Sequence, residues 1–152
     1  MHRWKWWLAG VCCACLLAFP ALAGKPTPIK PADRSAVRQI ISRQIAAFQA
    51  DDAELAFSFA SGTLQRQFGS AQRFMETVRV SYQPLYRPYS TAFLDTALVD
   101  GMAVQHLHVV DSDGRVHVAV YTLEHEPPPK GRKPGPWRIT GCRIALSGDV
   151  EI

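Results

Sequence analysis

The stretch that decides the fold is Met102–Glu126, which reads Met-Ala-Val-Gln-His-Leu-His-Val-Val over 102–110, Asp-Ser-Asp-Gly over 111–114 and Arg-Val-His-Val-Ala-Val-Tyr-Thr-Leu over 115–123. Side chains favoured in strands alternate with polar ones on both sides of the turn. Two such runs around a turn signal predict an antiparallel hairpin. We expect the upstream helices to pack on this hairpin and a later strand to widen its sheet.

Two registers of the hairpin lead to different chemistry. A two-residue loop at Asp113-Gly114 would place His106, His108, His117 and Tyr121 on one face, and three histidines arranged in this way could bind zinc. A type I turn with a bulge at Gly114 would instead place Asp111 opposite Arg115.

The bulged register is favoured because type I turns prefer Asp at the first position and Gly at the fourth. It separates His106 and His108 from His117, and His-x-His alone is a weak metal signal. We therefore expect neither a metal nor another cofactor. The residues predicted to share one face are Gln105, Leu107, Val109, His117, Ala119, Tyr121 and Leu123.

The rest of the chain predicts an α+β fold in which three helices pack on a curved, four-stranded antiparallel sheet. Apolar residues from Val37 to Phe48 recur at helical spacing, and Arg34, Arg38 and Arg43 are expected on the solvated side. Asp33 or Ser35, the Asp51/Glu54 pair and Ser70 provide caps for the three helices, and Pro84 ends the third. The predicted strands are Ser90–Val99, Met102–Val110, Arg115–Glu126 and Pro136–Leu146, with a tight turn at Asp100-Gly101.

The N-terminus predicts export. Arg3 and Lys5 precede an apolar run that ends at Phe19, and Ala21-Leu-Ala23 is a typical cleavage site, so a signal peptide over 1–23 should be cut before Gly24. The apolar run is shorter than the ~20 residues of a membrane-spanning helix, so no anchor should remain after cleavage. The protein is then periplasmic or secreted. A Pro-rich spacer (24–31), one domain (32–148) and a short tail (149–152) follow.

Charge and cysteine content argue against nucleic-acid binding, a lipid anchor and an intrachain disulfide. Without Arg3 and Lys5, 15 basic residues face 13 acidic ones, and a net charge of +2 does not indicate nucleic-acid binding. Three of the four cysteines lie in the signal peptide and lack the sequence context of a lipoprotein. Only Cys142 remains after cleavage, which rules out an intrachain disulfide and favours a buried thiol over an intermolecular disulfide.

Two proline-containing segments connect the predicted elements. Tyr82–Tyr89 joins the helices to the sheet, and its prolines argue against both helix and central strand. Its tyrosines and Arg87 either pack beneath a rigid connector or form the rim of a pocket. Pro127–Gly135 is a stiff loop whose Lys130, Arg132 and Lys133 we expect to be solvated.

The chain resembles the nuclear-transport-factor-2-like cone, also called the SnoaL-like or cystatin-like fold. More closely, it resembles a bacterial family of exported proteins known only as a domain of unknown function. The resemblance runs from about Ala36 to Leu146, and the segments that carry it are Ala47-Phe48 with Asp51-Asp52, Ala56–Ser61, Phe68-Gly69 before Phe74, Val78-Arg79, Tyr86–Pro88, Gln105, Gly114, Tyr121 and Trp137–Cys142. It implies a cavity between helices and sheet, but no known activity.

Two functions follow as alternatives. The first is a non-catalytic domain that binds a small apolar ligand or a periplasmic protein in this cavity, with the candidate residues Tyr82, Tyr86, Arg87, Gln105, Tyr121 and Trp137. The second is a small hydrolase, isomerase or cyclase that uses an acid–base pair there, with the weaker candidates Asp95, His117 and Tyr121. The outer sheet face, which carries His106, His108 and Val118, could also pair two copies as a homodimer.

Overall fold

Five strands form an antiparallel sheet in which neighbours in sequence are neighbours in space. The computed structural model describes residues 24–149, and within them the sheet does not close into a barrel. The strands are β1 (Thr27–Pro28), β2 (Ser90–Val99), β3 (Met102–Val110), β4 (Val116–His125) and β5 (Trp137–Leu146). The sequence predicted β2–β5 and missed β1, so the expected count of four strands is wrong by one.

The hairpin between β3 and β4 adopts the bulged register, which confirms the prediction. Val109 pairs with His117, and Gln105 pairs with Tyr121. In the turn, the Gly114 amide donates to the Asp111 carbonyl over 3.0 Å, and Gly114 has a φ of 78°. That left-handed residue supplies the extra position of the bulge.

Five helices lie in the described part of the chain, where three were predicted. Their bounds are α1 (Pro31–Gln49), α2 (Ala53–Ser58), α3 (Gly62–Phe68), α4 (Ala71–Ser81) and α5 (Gln83–Tyr86), and a 3₁₀ turn follows the last strand at Ser147–Asp149. The second predicted helix is broken because the chain at Phe59–Ser61 bonds to the edge of β5. The Ser61 amide donates to the Ile139 carbonyl over 2.8 Å, and the Ile139 amide donates to the Phe59 carbonyl over 2.9 Å.

The helix caps correct several sequence expectations. Helix α1 begins at Pro31 with Lys30 at the N-cap, so neither Asp33 nor Ser35 caps it. Asp52 rather than Asp51 caps α2, whereas Ser70 caps α4 as predicted. Pro84 does not end the helical region, because it lies in the first turn of α5, where a missing amide proton breaks no helical bond.

The core lies between the helices and the inner face of the sheet. Helix α1 contributes Val37 and Ile41, both completely buried, and the sheet contributes Leu107, Ala119 and Leu123, which are also completely buried. These strand residues belong to the row that the bulged register predicted to share a face. Ile29, directly after β1, is buried in the same core, so the end of the Pro-rich segment packs on the domain.

Parts of the export prediction lie outside the described residues. The signal peptide expected over 1–23, with its cleavage site, and the tail residues 150–152 are among these. Between Gly24 and Asp149, no helix is long and apolar enough to span a membrane.

Replacing Gly114 by alanine tests the turn. The added Cβ would meet no atom within 4 Å, so the cost comes only from the left-handed backbone. We expect Gly114→Ala to lower the free energy of unfolding by about 1 kcal/mol in urea denaturation. The matched control is Gly148→Ala, which also has open space but no positive φ. Equal stabilities of the two variants would contradict the assigned turn.

Candidate functional site

A cavity of about 370 Å³ lies where α1, α3, α4 and α5 meet the end of the β3–β4 hairpin and the middle of β5. This volume is within the range of small-molecule sites in proteins. The residues that line it are Gln44, Phe48, Ser61, Thr63, Leu64, Gln67, Phe68, Phe74, Thr77, Val78, Tyr82, Leu85, Met102, Tyr121, Thr122, Glu124, Ile139, Thr140, Gly141 and Cys142.

The helical wall of the cavity is built from aromatic rings. Phe74 on α4 packs against Phe68 edge to face, with ring centroids 5.2 Å apart, and against Phe48 at 6.1 Å. Phe57 packs against Phe74 with ring centroids 5.4 Å apart, but it does not line the cavity. Such edge-to-face and tilted pairs hold the rings in fixed positions, so this wall is firm.

A bulge in β5 shapes the opposite wall. The pairing of β4 with β5 shifts by one residue between Thr122 and Leu123, and Thr140 is the extra residue on β5. The Thr140 hydroxyl lies 3.0 Å from the Thr122 carbonyl and 2.9 Å from the Thr122 hydroxyl. A bulge bends its strand and redirects side chains, and here it brings Thr140 and Thr122 to the cavity together with Ile139 and Cys142.

Three polar side chains on this wall differ in how they are satisfied. The Tyr82 hydroxyl donates to the Cys142 carbonyl over 3.0 Å. Tyr121 is only 1% exposed, and no nitrogen or oxygen of the described residues hydrogen-bonds its hydroxyl. The Cys142 thiol lies within hydrogen-bond range of that hydroxyl, and a thiol is a weak partner.

Burial keeps these groups protonated. It raises the pKa of Tyr121 well above its ordinary value, and the neighbouring Cys142 raises it further. Burial likewise raises the pKa of the Tyr82 phenol and of the Cys142 thiol. The wall therefore carries uncharged donors at neutral pH.

Two of the six predicted ligand-binding residues, Tyr82 and Tyr121, line the cavity. Tyr86 and Arg87 instead bind Asp51 on the surface. The Arg87 guanidinium donates to the Asp51 carboxylate over 2.8 Å, and the Tyr86 hydroxyl donates to the same carboxylate. Arg79 adds a third donor at 3.2 Å, and the cluster lowers the pKa of Asp51, with the Tyr86 hydrogen bond as the largest cause.

Gln105, a third predicted ligand-binding residue, is completely buried, but it forms hydrogen bonds within the sheet and does not line the cavity. Its amide nitrogen lies 3.1 Å from the Leu94 and Asp95 carbonyls at the β2 bulge, and its amide oxygen accepts from Arg38 at 3.3 Å and from Thr96. Arg38 also donates to the Leu94 carbonyl over 2.8 Å. The expectation that Arg38 lies on a solvated helix face is therefore wrong.

Trp137, the last of the six, stacks on His125 with ring centroids 3.8 Å apart, and its indole N–H donates to the Asp33 carboxylate over 3.3 Å. It does not line the cavity. Asp33, which was predicted to cap α1, thus joins the start of that helix to the start of β5.

The weaker catalytic candidates are also separated. Asp95 is exposed at the bulge in β2, and its carbonyl rather than its carboxylate contacts Gln105. His117 lies near the hairpin turn, where its Nε2 is 2.8 Å from the Asp111 carboxylate. Sequence reasoning missed Asp111 as a partner, although the predicted register places Asp111 two residues beyond Val109, which pairs with His117.

Asp111 organises the turn. Its carboxylate accepts from the Asp113 and Arg115 amides, both at 2.9 Å, and from the Arg115 side chain at 3.1 Å. The hydrogen bond from His117, followed by these backbone donors, lowers the pKa of Asp111 to about 2. The pair of Asp111 and His117 lies outside the cavity lining, so it serves the turn.

Comparison with known sequences identifies the family. A family model described as a domain of unknown function (DUF4864) matches residues 30–152, which is most of the chain and includes α1–α5 and β2–β5. The match confirms the part of the resemblance that concerned a domain of unknown function. No curated protein and no solved structure matches the chain.

Replacing Gln105 by leucine tests whether this residue is structural. The change would leave Arg38 and the Leu94 and Asp95 carbonyls without their buried partner. We expect Gln105→Leu to lower the free energy of unfolding by about 3 kcal/mol, measured by urea denaturation. The exposed Gln39→Leu on α1 should change it by less than about 0.5 kcal/mol. A small effect of Gln105→Leu would show that the network contributes little.

Acid should weaken the turn through Asp111. Its pKa is lowered in the folded protein, so the stabilisation is complete above the unfolded-state pKa of about 4 and is lost as the pH falls through about 2. We expect Asp111→Asn to be less stable than the wild type at pH 6, and the difference to shrink between pH 4 and pH 2. Urea denaturation at pH values from 6 to 2 measures the difference in the free energy of unfolding. Asp113→Asn, at an exposed carboxylate of the same turn, is the control, and a difference that does not depend on pH would contradict the assignment.

Proposed function

Because the chain belongs to the DUF4864 family, a domain of unknown function, we propose its role from the cavity: the protein binds a small, mostly apolar ligand between helices and sheet and does not transform it. The observation that carries the proposal is the Tyr121 hydroxyl, which is buried on the cavity wall with no nitrogen or oxygen partner among residues 24–149. The Cys142 thiol beside it is a weak partner, so the hydroxyl keeps much of the cost of a buried unpaired group, about 1–3 kcal/mol, and a ligand that supplies an acceptor would offset this cost.

The lining supports an apolar ligand. Phe48, Phe68 and Phe74 form a firm ring wall, and Leu64 and Leu85 complete the apolar surface on the helical side. Sites for small molecules combine such a surface with a few fixed polar groups. Among the predicted binding residues, Tyr82 and Tyr121 supply such polar groups on the cavity wall.

The catalytic alternative has less support. A hydrolase, isomerase or cyclase needs an acid–base pair at the ligand, and the Asp111–His117 pair does not line the cavity. Burial raises the pKa values of Tyr82, Tyr121 and Cys142, which disfavours the deprotonated forms that a general base or nucleophile requires.

The fold family, the cellular location and the protein partners that we propose are predicted from the sequence. The arrangement of helices on an open antiparallel sheet is compatible with a nuclear-transport-factor-2-like cone, in which a cavity at this place is expected. Export to the periplasm, binding of a periplasmic protein and a homodimer formed through the outer sheet face stay predictions beside the ligand site.

Binding can be measured with N-phenyl-1-naphthylamine, an uncharged fluorophore that brightens in apolar surroundings. We expect saturable binding to the mature protein. Thr77→Phe, which places a ring at the cavity wall, should weaken it at least about tenfold. Ser42→Phe adds the same ring on an exposed part of α1 and should bind as the wild type does.

Circular dichroism of both variants shows whether they remain folded. An affinity that is unchanged in folded Thr77→Phe would place the probe elsewhere. Absence of any saturable binding to the wild type would contradict the proposed function itself.

A further inference from the structure

The polar groups and the charge of the cavity wall limit the chemical class of ligand that the cavity can bind. Tyr82 and Tyr121 both border the cavity near Cys142, but only the Tyr82 hydroxyl has an oxygen acceptor among the described residues, the Cys142 carbonyl at 3.0 Å. The Tyr121 hydroxyl is buried, and no described nitrogen or oxygen bonds to it. Its partner is the neighbouring Cys142 thiol, which bonds weakly, so a stronger acceptor that enters the cavity would displace the thiol from the Tyr121 hydroxyl.

The protonation state of Tyr121 decides whether its hydroxyl donates or accepts in a hydrogen bond with the ligand. Burial raises the pKa of Tyr121 well above its ordinary value, so the phenol keeps its proton at neutral pH and can donate it in a hydrogen bond. The neighbouring Cys142 thiol also stays protonated, because burial raises its pKa. The group that completes this wall must therefore accept a hydrogen bond.

The charge of the lining decides between neutral and anionic acceptors. Among the described residues that line the cavity there is no lysine, arginine or histidine, and the charged member is the acidic Glu124. The remaining polar lining consists of hydroxyl and amide groups, such as those of Gln44, Ser61 and Thr77. A carboxylate or phosphate would lose its hydration here without gaining a counter-charge, which is strongly unfavourable.

We propose that the ligand is an uncharged, largely apolar molecule that presents a carbonyl or similar neutral oxygen to the Tyr121 hydroxyl. This inference rests on the proposed function and adds the ligand's charge and the position of its polar atom. The aromatic wall of Phe48, Phe68 and Phe74 then contacts the apolar body of the molecule.

Three probes of the same shape test it: 2-acetylnaphthalene, 2-ethylnaphthalene and 2-naphthoate. The acetyl compound carries a neutral hydrogen-bond acceptor, the ethyl compound carries none, and the naphthoate carries an anionic one. Isothermal titration calorimetry gives their dissociation constants. For the wild type we expect the acetyl compound to bind at least about tenfold more tightly than the ethyl compound, and the naphthoate to bind most weakly.

Tyr121→Phe should remove the preference for acetyl over ethyl, leaving less than about a threefold difference. Tyr89→Phe is the matched control, since it removes the hydroxyl of a tyrosine that is 82% exposed and does not line the cavity, and it should keep the preference. Tyr121→Phe should also melt at the same temperature as the wild type or higher, because it deletes a buried group whose partner is only a thiol.

Several results would overturn the inference while the proposed function stands. These are equal binding of the acetyl and ethyl probes, tightest binding of the naphthoate, or a preference that survives Tyr121→Phe. A lower melting temperature of Tyr121→Phe would show that the hydroxyl already has a stronger partner than the thiol in the unliganded protein, and would overturn it too. If none of the three probes binds, the proposed function fails together with the inference.

Discussion

Gly114 adopts a φ of 78°, and this left-handed residue fixes which sides of β3 and β4 face the helices. Side chains alternate along a strand, so shifting the pairing by one residue would exchange the faces of one strand relative to the other. The Asp111 carboxylate holds the turn in place by accepting from two backbone amides and from His117. In the resulting register, Tyr121 pairs with Gln105 on the inner face, where both are buried.

That pair shows two different outcomes for polar groups inside one core. Gln105 is bonded by Arg38, Thr96 and the carbonyls at the β2 bulge, so its burial fastens helix α1 to two strands. Tyr121, directly opposite, brings a hydroxyl into the core without such partners. Interior polar groups are almost always paired. This exception belongs to a residue that lines a cavity, which is why we propose that a ligand supplies its missing acceptor.

Local signals in the sequence were enough to predict the sheet and its inner face. Asp and Gly at the ends of the turn gave the register, and Ser70 marked the start of α4. The missed features depend on contacts between distant segments. The break between α2 and α3 arises from hydrogen bonds to Ile139, about 80 residues away along the chain, and β1 exists because Thr27 and Pro28 meet β2. Likewise, no local pattern shows that Arg38 bonds to Gln105 or that Thr140 forms the bulge that shapes the cavity.

The turn and the cavity lie at opposite ends of the same hairpin. Asp111 follows the last residue of β3, whereas Met102, its first residue, lines the cavity. At about 3.3 Å per residue, the two are separated by roughly 25–30 Å. Sites at this distance that share no partners contribute independently to stability. Tyr121 lies nearer the middle of the hairpin, opposite Gln105, and at the same rise per residue it is still roughly 20 Å from Asp111. The Asp111 turn can therefore hold the inner face in register independently of the Tyr121 hydroxyl. The fold separates the group that stabilises the sheet from the group that would bind the ligand.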